Sequence, residues 1–197
     1  FLNDYSHKII PNYYVLSDPE HVETKSENQT KLNETLKKFI LDNNVKLLAP
    51  NEKRWEQFQK SFIPFNDFQN LSSNNIDPRK PRGYTSNTGF KAIALMLALK
   101  YKKIYIVGLD FDYPRKLMLD KNNKIYLKRE HSYGDTNANL SHEFDSIGHA
   151  LSWWSENYWH LRKLKSEKIV NVTNNSMVDA FSRMTPEIFI NTLQELK

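Results

Sequence analysis

Residues 85–113 read TSNTGFKAIALMLALKYKKIYIVGLDFDY, and this stretch decides the fold class. Residues 89–101 are apolar on nearly every side, as expected of a helix buried against a sheet. A two-lysine turn follows, and residues 104–109 (IYIVGL) form the continuous apolar run typical of a parallel strand buried on both faces. Acidic residues come directly after it. Open α/β sheets bind their ligands at the carboxyl edge, so the stretch also indicates where the chemistry lies.

Apolar runs and helical periodicities alternate along the rest of the chain. Further strands are predicted at residues 13–17, 45–49 and 168–172, and further helices at residues 30–43, 54–65, 145–164 and 185–196. Such alternation implies right-handed crossovers and a mostly parallel sheet. We therefore predict an α/β, Rossmann-like fold, a mostly parallel sheet flanked by helices, in a single domain over residues 1–197. Because Phe1 lies close to the first predicted strand, we expect an N-terminal strand to precede this numbering.

Residues 112–142 break the alternation. They are rich in charge and asparagine and show no clear period. A stretch of that length inside a compact domain is typically either disordered or a functional lid. We predict a lid-like segment within the domain.

The composition excludes several classes of function. The chain has 197 residues, a formal net charge of +5 and no cysteine. Disulfides, thiolate metal sites and cysteine nucleophiles are therefore excluded, as is common in a reducing compartment. Acidic residues are interleaved with the basic ones, so the excess charge indicates a solvated surface rather than a nucleic-acid interface. No apolar run approaches the roughly 18 residues that span a bilayer.

Three common motifs do not occur: the Walker-A loop, G-x-S-x-G and G-x-G-x-x-G. Their absence from the sequence argues against P-loop ATPases, α/β-hydrolases and ordinary dinucleotide dehydrogenases.

Thr88 and Gly89 lie where a polar loop enters the apolar helix. Thr88 is a natural N-cap, and the backbone N–H groups at a helix start favour a phosphate or carboxylate. The alternative is a plain capped helix without a ligand.

Asp110 and Asp112 form a D-F-D triplet just after Gly108, at the end of the predicted strand. Carboxylates at this position bind a ribose hydroxyl in dinucleotide folds. They also suit a divalent cation that holds a nucleotide diphosphate. The alternative is a turn cap with no ligand.

Four residues at spacings of four, three and four share one face of the predicted helix 145–164, namely His149, Trp153, Glu156 and His160. A histidine beside a carboxylate is a candidate general base, because the pKa of histidine lies near working pH. The alternative is a solvated amphipathic face with aromatic packing. His131 and His142 in the lid-like segment are further candidate bases or ligands, but their spacing is not that of zinc ligands, and no metal site is predicted.

Three tyrosines fall at or within the lid-like segment, namely Tyr113, Tyr126 and Tyr133. A tyrosine hydroxyl donates a hydrogen bond to a phosphate leaving group without adding charge. Packing is the alternative role for each. Asp18 comes directly after the first predicted strand and is likewise either a site residue or a turn residue.

Three blocks of the sequence combine these pieces. Residues 87–111 read NTGFKAIALMLALKYKKIYIVGLDF, residues 146–150 read SIGHA, and an Asn-Ser pair at residues 175–176 follows His149. These blocks resemble the central block, the I-G-H segment with the catalytic histidine and the Asn-Ser pair of bacterial family-42 sialyltransferases, which modify lipooligosaccharides. Residues 14–19 are a weaker match to the strand of that family that contacts the nucleotide.

The resemblance implies a sialyltransferase-type glycosyltransferase domain with a lid over a CMP-sugar. It implies transfer of a nonulosonic acid such as sialic acid to a glycan hydroxyl, with inversion and without a cofactor. Carried over by position, the general base is His149, and the nucleotide contacts are Thr88, Gly89, Gly108, Asp110, Asn175 and Ser176. Asp18 and Asp112 stand where the family has Asn and Tyr, and we expect them at the nucleotide too. Tyr113, with Tyr126 or Tyr133, is expected to stabilise the departing phosphate.

The partners implied are a CMP-sugar donor and a surface-glycan acceptor that can be lipid-linked. We therefore expect a cytoplasmic protein that is able to lie at the inner face of the cytoplasmic membrane. A homo-oligomer stays open, and no nucleic-acid partner is expected.

Two alternatives stay open. Asp110 and Asp112 suit Mg or Mn in a transferase that uses a nucleotide-diphosphate sugar. The same fold also suits a non-catalytic module that binds a nucleotide or a glycan.

Overall fold

Short parallel strands joined by helices make up most of the described chain. The computed structural model describes residues 10–19, 22–23, 27–66, 87–131, 134–139 and 145–195. The chain divides into two compact units, residues 1–98 and 99–197. The described part is a mixed α/β structure with small parallel sheets flanked by helices, which confirms the predicted α/β class.

The first unit is built on one parallel sheet. Its strands are β1 (Tyr13–Val15), β2 (Lys46–Pro50) and β3 (Phe62–Phe65). Its helices are α1 (Glu27–Asp42), a 3₁₀ helix (Lys53–Ser61) and α2 (Thr88–Ala98). The strands are arranged in the order β1-β2-β3, with β2 in the centre. The helices predicted at residues 30–43 and 89–101 are confirmed, with slightly different ends.

The two faces of β2 belong to different cores, because successive side chains of a strand point to opposite sides. Leu47 and Ala49 pack in one cluster with Ile40 of α1. Leu48 packs on the other side with Leu95 of α2. Both faces of β2 are therefore covered, which explains why the strand is apolar after Lys46.

The helix predicted at residues 54–65 is wrong over its last four residues. The 3₁₀ helix ends at Ser61, and Gln59 within it has a left-handed φ of 49°. Residues Phe62–Phe65 then form β3 and pair in parallel with β2. The aromatic side chains recur every three or four residues, which favoured a helix, but pairing with β2 decides the conformation. Pro64 is tolerated because β3 lies at the edge of its sheet.

The second unit contains one parallel and one antiparallel sheet. The parallel strands are β4 (Ile104–Ile106), β8 (Ile169–Asn171) and β9 (Ser182–Arg183), in the order β4-β8-β9. The antiparallel strands are β5 (Leu117–Leu119), β6 (Ile125–His131) and β7 (Gly134–Asn139), in the order β5-β6-β7. The helices are a second 3₁₀ helix (Tyr113–Lys116), α3 (Ile147–Lys163) and α4 (Pro186–Glu195). None of the described helices combines the length and the apolar character needed to cross a bilayer.

The segment at residues 112–142 contains strands that the sequence did not predict. β5, β6 and β7 follow one another as antiparallel neighbours. Asp120 shapes the turn between β5 and β6, because its Oδ1 accepts the N–H groups of Asn122 and Lys124, each at 2.8 Å. The sequence of these strands does not alternate regularly between polar and apolar residues, so it gives no period-two signal. The role of this segment as a lid stays a prediction.

The strand predicted at residues 104–109 is wrong beyond Ile106. Val107 is 70 % exposed, and Gly108 takes a left-handed φ of 80°. The apolar run therefore overestimates the length of the strand, because the chain leaves the sheet while its side chains are still apolar.

Alanine at Gly108 and at Gly148 should change stability in opposite directions. At Gly108 an added Cβ meets nothing within 4 Å, so only the left-handed φ of 80° opposes the substitution. We expect Gly108→Ala to lower the free energy of unfolding by about 1–2 kcal/mol. At Gly148, in the first turn of α3, the added Cβ lies 3.7 Å from Ser146 Oγ, an ordinary contact. We expect Gly148→Ala to raise stability by about 0.5–1 kcal/mol. Urea unfolding measures both, and a shift of the same sign would contradict this account of the backbone.

Candidate functional site

The carboxyl ends of β4 and β8 lie side by side. The two strands pair in parallel, with Ile106 opposite Asn171, so the loops that follow them leave the sheet at the same edge. Val172 N–H donates to Ile106 C=O at 2.8 Å, which extends the contact by one residue. The sequence predicted a site at this edge, and the predicted residues Gly108, Asp110, Asn175 and Ser176 all lie on these two loops.

We call the loop after β4 the first loop and the loop after β8 the second loop. Side chains of the second loop bind the backbone of the first loop. Leu109 N–H donates to Thr173 Oγ1 at 3.0 Å, and Leu109 C=O accepts from Ser176 Oγ at 2.7 Å. One residue further, Asp110 C=O accepts the N–H of Met177 at 2.9 Å. We call the pair of bonds to Leu109 the Leu109 clamp. It fixes the peptide groups between Gly108 and Asp110, the two positions expected at a nucleotide.

Asn171 supports the clamp from beneath. Its Nδ2 donates to Ser176 Oγ at 2.9 Å, and its Oδ1 accepts the N–H of Thr173 at 3.0 Å. Ser176 Oγ also accepts the N–H of Val178 at 3.1 Å. The Ser176 hydroxyl therefore donates one bond and accepts two, which completes its capacity. Asn171 is fully buried and Ser176 is 4 % exposed, so these side chains hold the loops in place.

The residues on the outer side of the edge differ in their surroundings. Gly108 and Asp110 are exposed. Asp112 forms an ion pair with Lys116 at 3.1 Å, and both side chains are mostly covered. Of the two carboxylates in the D-F-D triplet, the exposed one is Asp110. In the described residues no three His, Cys, Asp or Glu side chains converge as a metal site.

Asn175 and two arginines complete the edge. Asn175 is exposed, takes a left-handed φ of 55°, and accepts a bond from Arg115 Nη1 on its carbonyl at 2.9 Å. Arg183 Nη1 donates to the next carbonyl, that of Ser176, at 3.0 Å. Arg183 Nη2 donates to the Thr173 carbonyl at 3.3 Å. Sequence reasoning missed both arginines, because the only signal was a modest basic excess.

A cluster of aromatic rings joins the first loop to α3. Phe111 is 5 % exposed and stacks on Trp154 and Tyr158, with ring centroids 6.0 and 6.1 Å away. Its φ of 50° is left-handed, which is strained for a bulky residue. Tyr158 also contacts the second loop, because its hydroxyl donates to Met177 C=O at 2.5 Å. Burial raises the pKa of Tyr158, which keeps the hydroxyl protonated as a donor.

His149 lies in the first turn of α3. Ser146 is the N-cap of this helix, and its Oγ accepts the N–H of His149 at 3.1 Å. The side chain of His149 is exposed. Trp153 follows four residues later on the same face, and its ring meets the ring of Tyr113 at 6.1 Å. Tyr113 also packs in the cluster that includes Ile147, so Tyr113 lies against the first two turns of α3.

The other polar residues of that helix face have different surroundings. Glu156 is exposed. His160 is half-buried, and its Nδ1 is covered and has no hydrogen-bond partner among the described residues. Burial lowers the pKa of His160, and Lys163 lowers it further, while Glu156 acts in the opposite direction. The predicted face therefore holds two unlike histidines, of which His149 is the accessible one.

In the first unit, Asn87 rather than Thr88 caps α2. Asn87 Oδ1 accepts the N–H of Gly89 at 2.8 Å, and Asn87 C=O accepts the N–H of Lys91 at 3.2 Å. The prediction of Thr88 as N-cap is wrong by one residue, because Asn precedes it and caps at least as well. Thr88 Oγ1 instead bonds Ser17 Oγ at 2.6 Å, which joins the helix start to the end of β1.

The remaining predicted residues are distributed as follows. Asp18 is exposed after β1, in the first unit. Tyr126 and His131 belong to β6, and their side chains lie outside the described part of the chain. Tyr133 and His142 lie outside the described residues altogether.

Comparison with known proteins finds no family model, no curated protein and no solved structure that matches this chain. The resemblance to sialyltransferases therefore rests on the sequence blocks, and the function it implies is a proposal.

Ser176→Ala tests the Leu109 clamp. The substitution leaves the Leu109 carbonyl and the Asn171 amide without their shared partner in a buried place. We expect the free energy of unfolding to fall by about 1–3 kcal/mol, measured in urea. Ser152→Ala, at an exposed position of α3, is the matched control and should change stability by less than about 0.5 kcal/mol. Equal effects from the two substitutions would show that the clamp is energetically unimportant.

His160 should make stability depend on pH. Because its pKa is lowered in the folded chain, the folded state binds this proton less tightly than the unfolded state. The stability it contributes is present above about pH 6.5, the ordinary histidine value, and declines as the pH falls toward the lowered pKa. We expect His160→Gln to remove this part of the decline in urea unfolding between about pH 7.5 and 5. A difference between wild type and variant that is constant with pH would refute the assignment.

Proposed function

We propose that this protein is a glycosyltransferase that moves a nonulosonic acid, such as sialic acid, from a CMP-sugar to a hydroxyl of a surface glycan. The observation that carries the proposal is the exposed His149 in the first turn of α3, within the block that resembles the I-G-H segment. Tyr113, which packs against the first two turns of α3, and the loop edge with Gly108 and Asp110 support it. The finer fold proposed is the Rossmann-like, sialyltransferase-type fold with residues 112–142 as the lid.

In the proposed reaction His149 acts as the general base. The acceptor O–H bond breaks and its proton passes to the imidazole, while the acceptor oxygen bonds to the anomeric carbon. The bond from that carbon to the phosphate oxygen breaks on the opposite side, so configuration inverts and CMP leaves with the electron pair. A positioned base of this kind contributes about 10²–10⁴-fold to the rate.

Tyr113 is proposed to stabilise the phosphate as it gains charge. Its ring is held edge-on between Phe111 and Trp153, with centroids 5.9 and 6.1 Å away, so its direction is fixed by packing. A hydrogen-bond donor held in place before the reaction costs no reorganisation when charge develops. Tyr126 or Tyr133 is proposed as the second donor. The enzyme is proposed to act in the cytoplasm, at the membrane face where a lipid-linked acceptor would be presented.

The metal-dependent alternative encounters a specific obstacle at the D-F-D triplet. Lys116 already neutralises Asp112 at 3.1 Å, so a divalent cation would have to displace the lysine before both carboxylates could bind it. A non-catalytic binding module is separated from the transferase by turnover, because a module releases no CMP from the donor.

His149→Ala tests the proposal. We expect the transfer rate with a CMP-sialic acid donor to fall by about 10²–10⁴-fold, measured as CMP release. Binding of CMP should persist, because the base faces the sugar, and it is measured as a rise in thermal stability with CMP. Ser155→Ala, an exposed change on the same helix, is the control and should retain the rate. Full activity in His149→Ala, or no CMP release by the wild type, would refute the proposal.

A further inference from the structure

Two arginines from different elements meet on consecutive carbonyls at the carboxyl edge of β4 and β8. Arg115 comes from the second 3₁₀ helix and donates to Asn175 C=O at 2.9 Å. Arg183 comes from β9 and donates to Ser176 C=O at 3.0 Å. The two carbonyls belong to successive peptide groups, and neighbouring Cα atoms are about 3.8 Å apart, so both guanidinium groups bind the same short stretch of the second loop.

Among the described residues, neither guanidinium is paired with a carboxylate. The ion pairs near this edge are Lys116 with Asp112 and Arg162 with Asp179, and in the described part of the chain neither Arg115 nor Arg183 has a carboxylate partner. Both arginine side chains are exposed. Two positive charges held together without a counter-ion repel each other, so an anion between them lowers the energy of the pair.

The geometry suits an oxyanion in particular. A guanidinium carries five N–H donors in a planar fork. The loop carbonyls take one donor of Arg115 and two of Arg183, which sets the orientation of both groups and leaves further donors for a ligand. Phosphate and carboxylate oxygens match that fork.

We propose that Arg115 and Arg183 form an oxyanion site beside the Asn175 and Ser176 carbonyls, at the edge that Gly108 also lines. The site takes the phosphate of the nucleotide or the carboxylate of the nonulosonic acid. This identity of the ligand rests on the proposed function, whereas the oxyanion site itself rests on the two guanidinium groups.

The site also gives the Leu109 clamp a role beyond stability. Ser176 supplies its hydroxyl to the clamp and its carbonyl to Arg183. The residue therefore sets the distance between the Gly108 loop and one of the two cations. Ser176 is buried, and its hydroxyl already makes all the hydrogen bonds that it can. It therefore serves the site by positioning Arg183, not by binding the ligand itself.

Arg115→Gln and Arg183→Gln test the site. Glutamine removes the charge and the fork, and its side chain is shorter than that of arginine. Urea unfolding of each variant is therefore measured alongside binding, so that a loss of loop structure is separated from a loss of ligand binding. Lys165→Gln removes one charge from an exposed position of the same unit and is the matched control. The full chain is titrated calorimetrically with inorganic phosphate, CMP, cytidine and free sialic acid.

We expect each arginine variant to bind inorganic phosphate and CMP about tenfold or more weakly, since hydrogen bonds to charged groups are worth about 1.5–3 kcal/mol. Lys165→Gln should bind as the wild type does. A loss for CMP but not for sialic acid identifies the nucleotide phosphate, and the reverse identifies the sugar carboxylate. Cytidine, which has no oxyanion, should be unaffected.

The outcomes separate this site from the proposed function. If phosphate, CMP and sialic acid bind both variants within twofold of wild type, or do not bind the wild type, the oxyanion site is refuted. If phosphate binding depends on both arginines but CMP neither competes with it nor binds, the site stands and the CMP-sugar function fails. If CMP and sialic acid both bind all variants equally while CMP-sialic acid is turned over, the function stands and the site fails.

Discussion

The backbone of Leu109 is the point on which the carboxyl edge of the second unit depends. Its N–H is bound by Thr173 and its C=O by Ser176, side chains 64 and 67 residues further along the chain. Because side chains take the place of a neighbouring strand, the first loop departs from the sheet with left-handed φ values of 80° at Gly108 and 50° at Phe111. A left-handed phenylalanine persists only where packing over-determines it, and the stacked rings around Phe111 supply that packing.

The second loop is in turn fastened by three elements. Arg115 of the second 3₁₀ helix and Arg183 of β9 donate to its carbonyls, and Tyr158 of α3 donates to Met177 C=O. The helix that carries His149 is thereby tied to the loops that carry the nucleotide residues expected in this unit. Such coupling matters for a general base, because a small displacement of the base relative to the reacting atoms is costly in rate.

The parts of the fold that depend on local periodicity were predictable. The helices and the buried strands have apolar patterns that leave few alternatives, and β2 with both faces covered is an example. The errors concern partners far apart in sequence. β3 is a strand because it pairs with β2, although its aromatic spacing fits a helix. The strand predicted to residue 109 ends at Ile106 because Leu109 bonds side chains that no local window contains. The strands within residues 117–139 lack an alternating pattern of polar and apolar residues. They could be identified only from their pairing with one another.

The candidate site follows the same division. That Gly108, Asp110 and the Asn-Ser pair lie at one edge was predictable, since parallel neighbours end together. Which of these residues can bind a ligand was not predictable, because it depends on which polar groups already have hydrogen-bond partners within the fold. Ser176 has used all its hydroxyl capacity inside the fold, so its hydroxyl cannot also bind a ligand without releasing Leu109. Arginines bound to carbonyls keep donors in reserve, since a guanidinium has more donors than one loop can accept. In the proposed site, recognition of the anion therefore falls to the two arginines and the backbone, and the buried hydroxyl supports them.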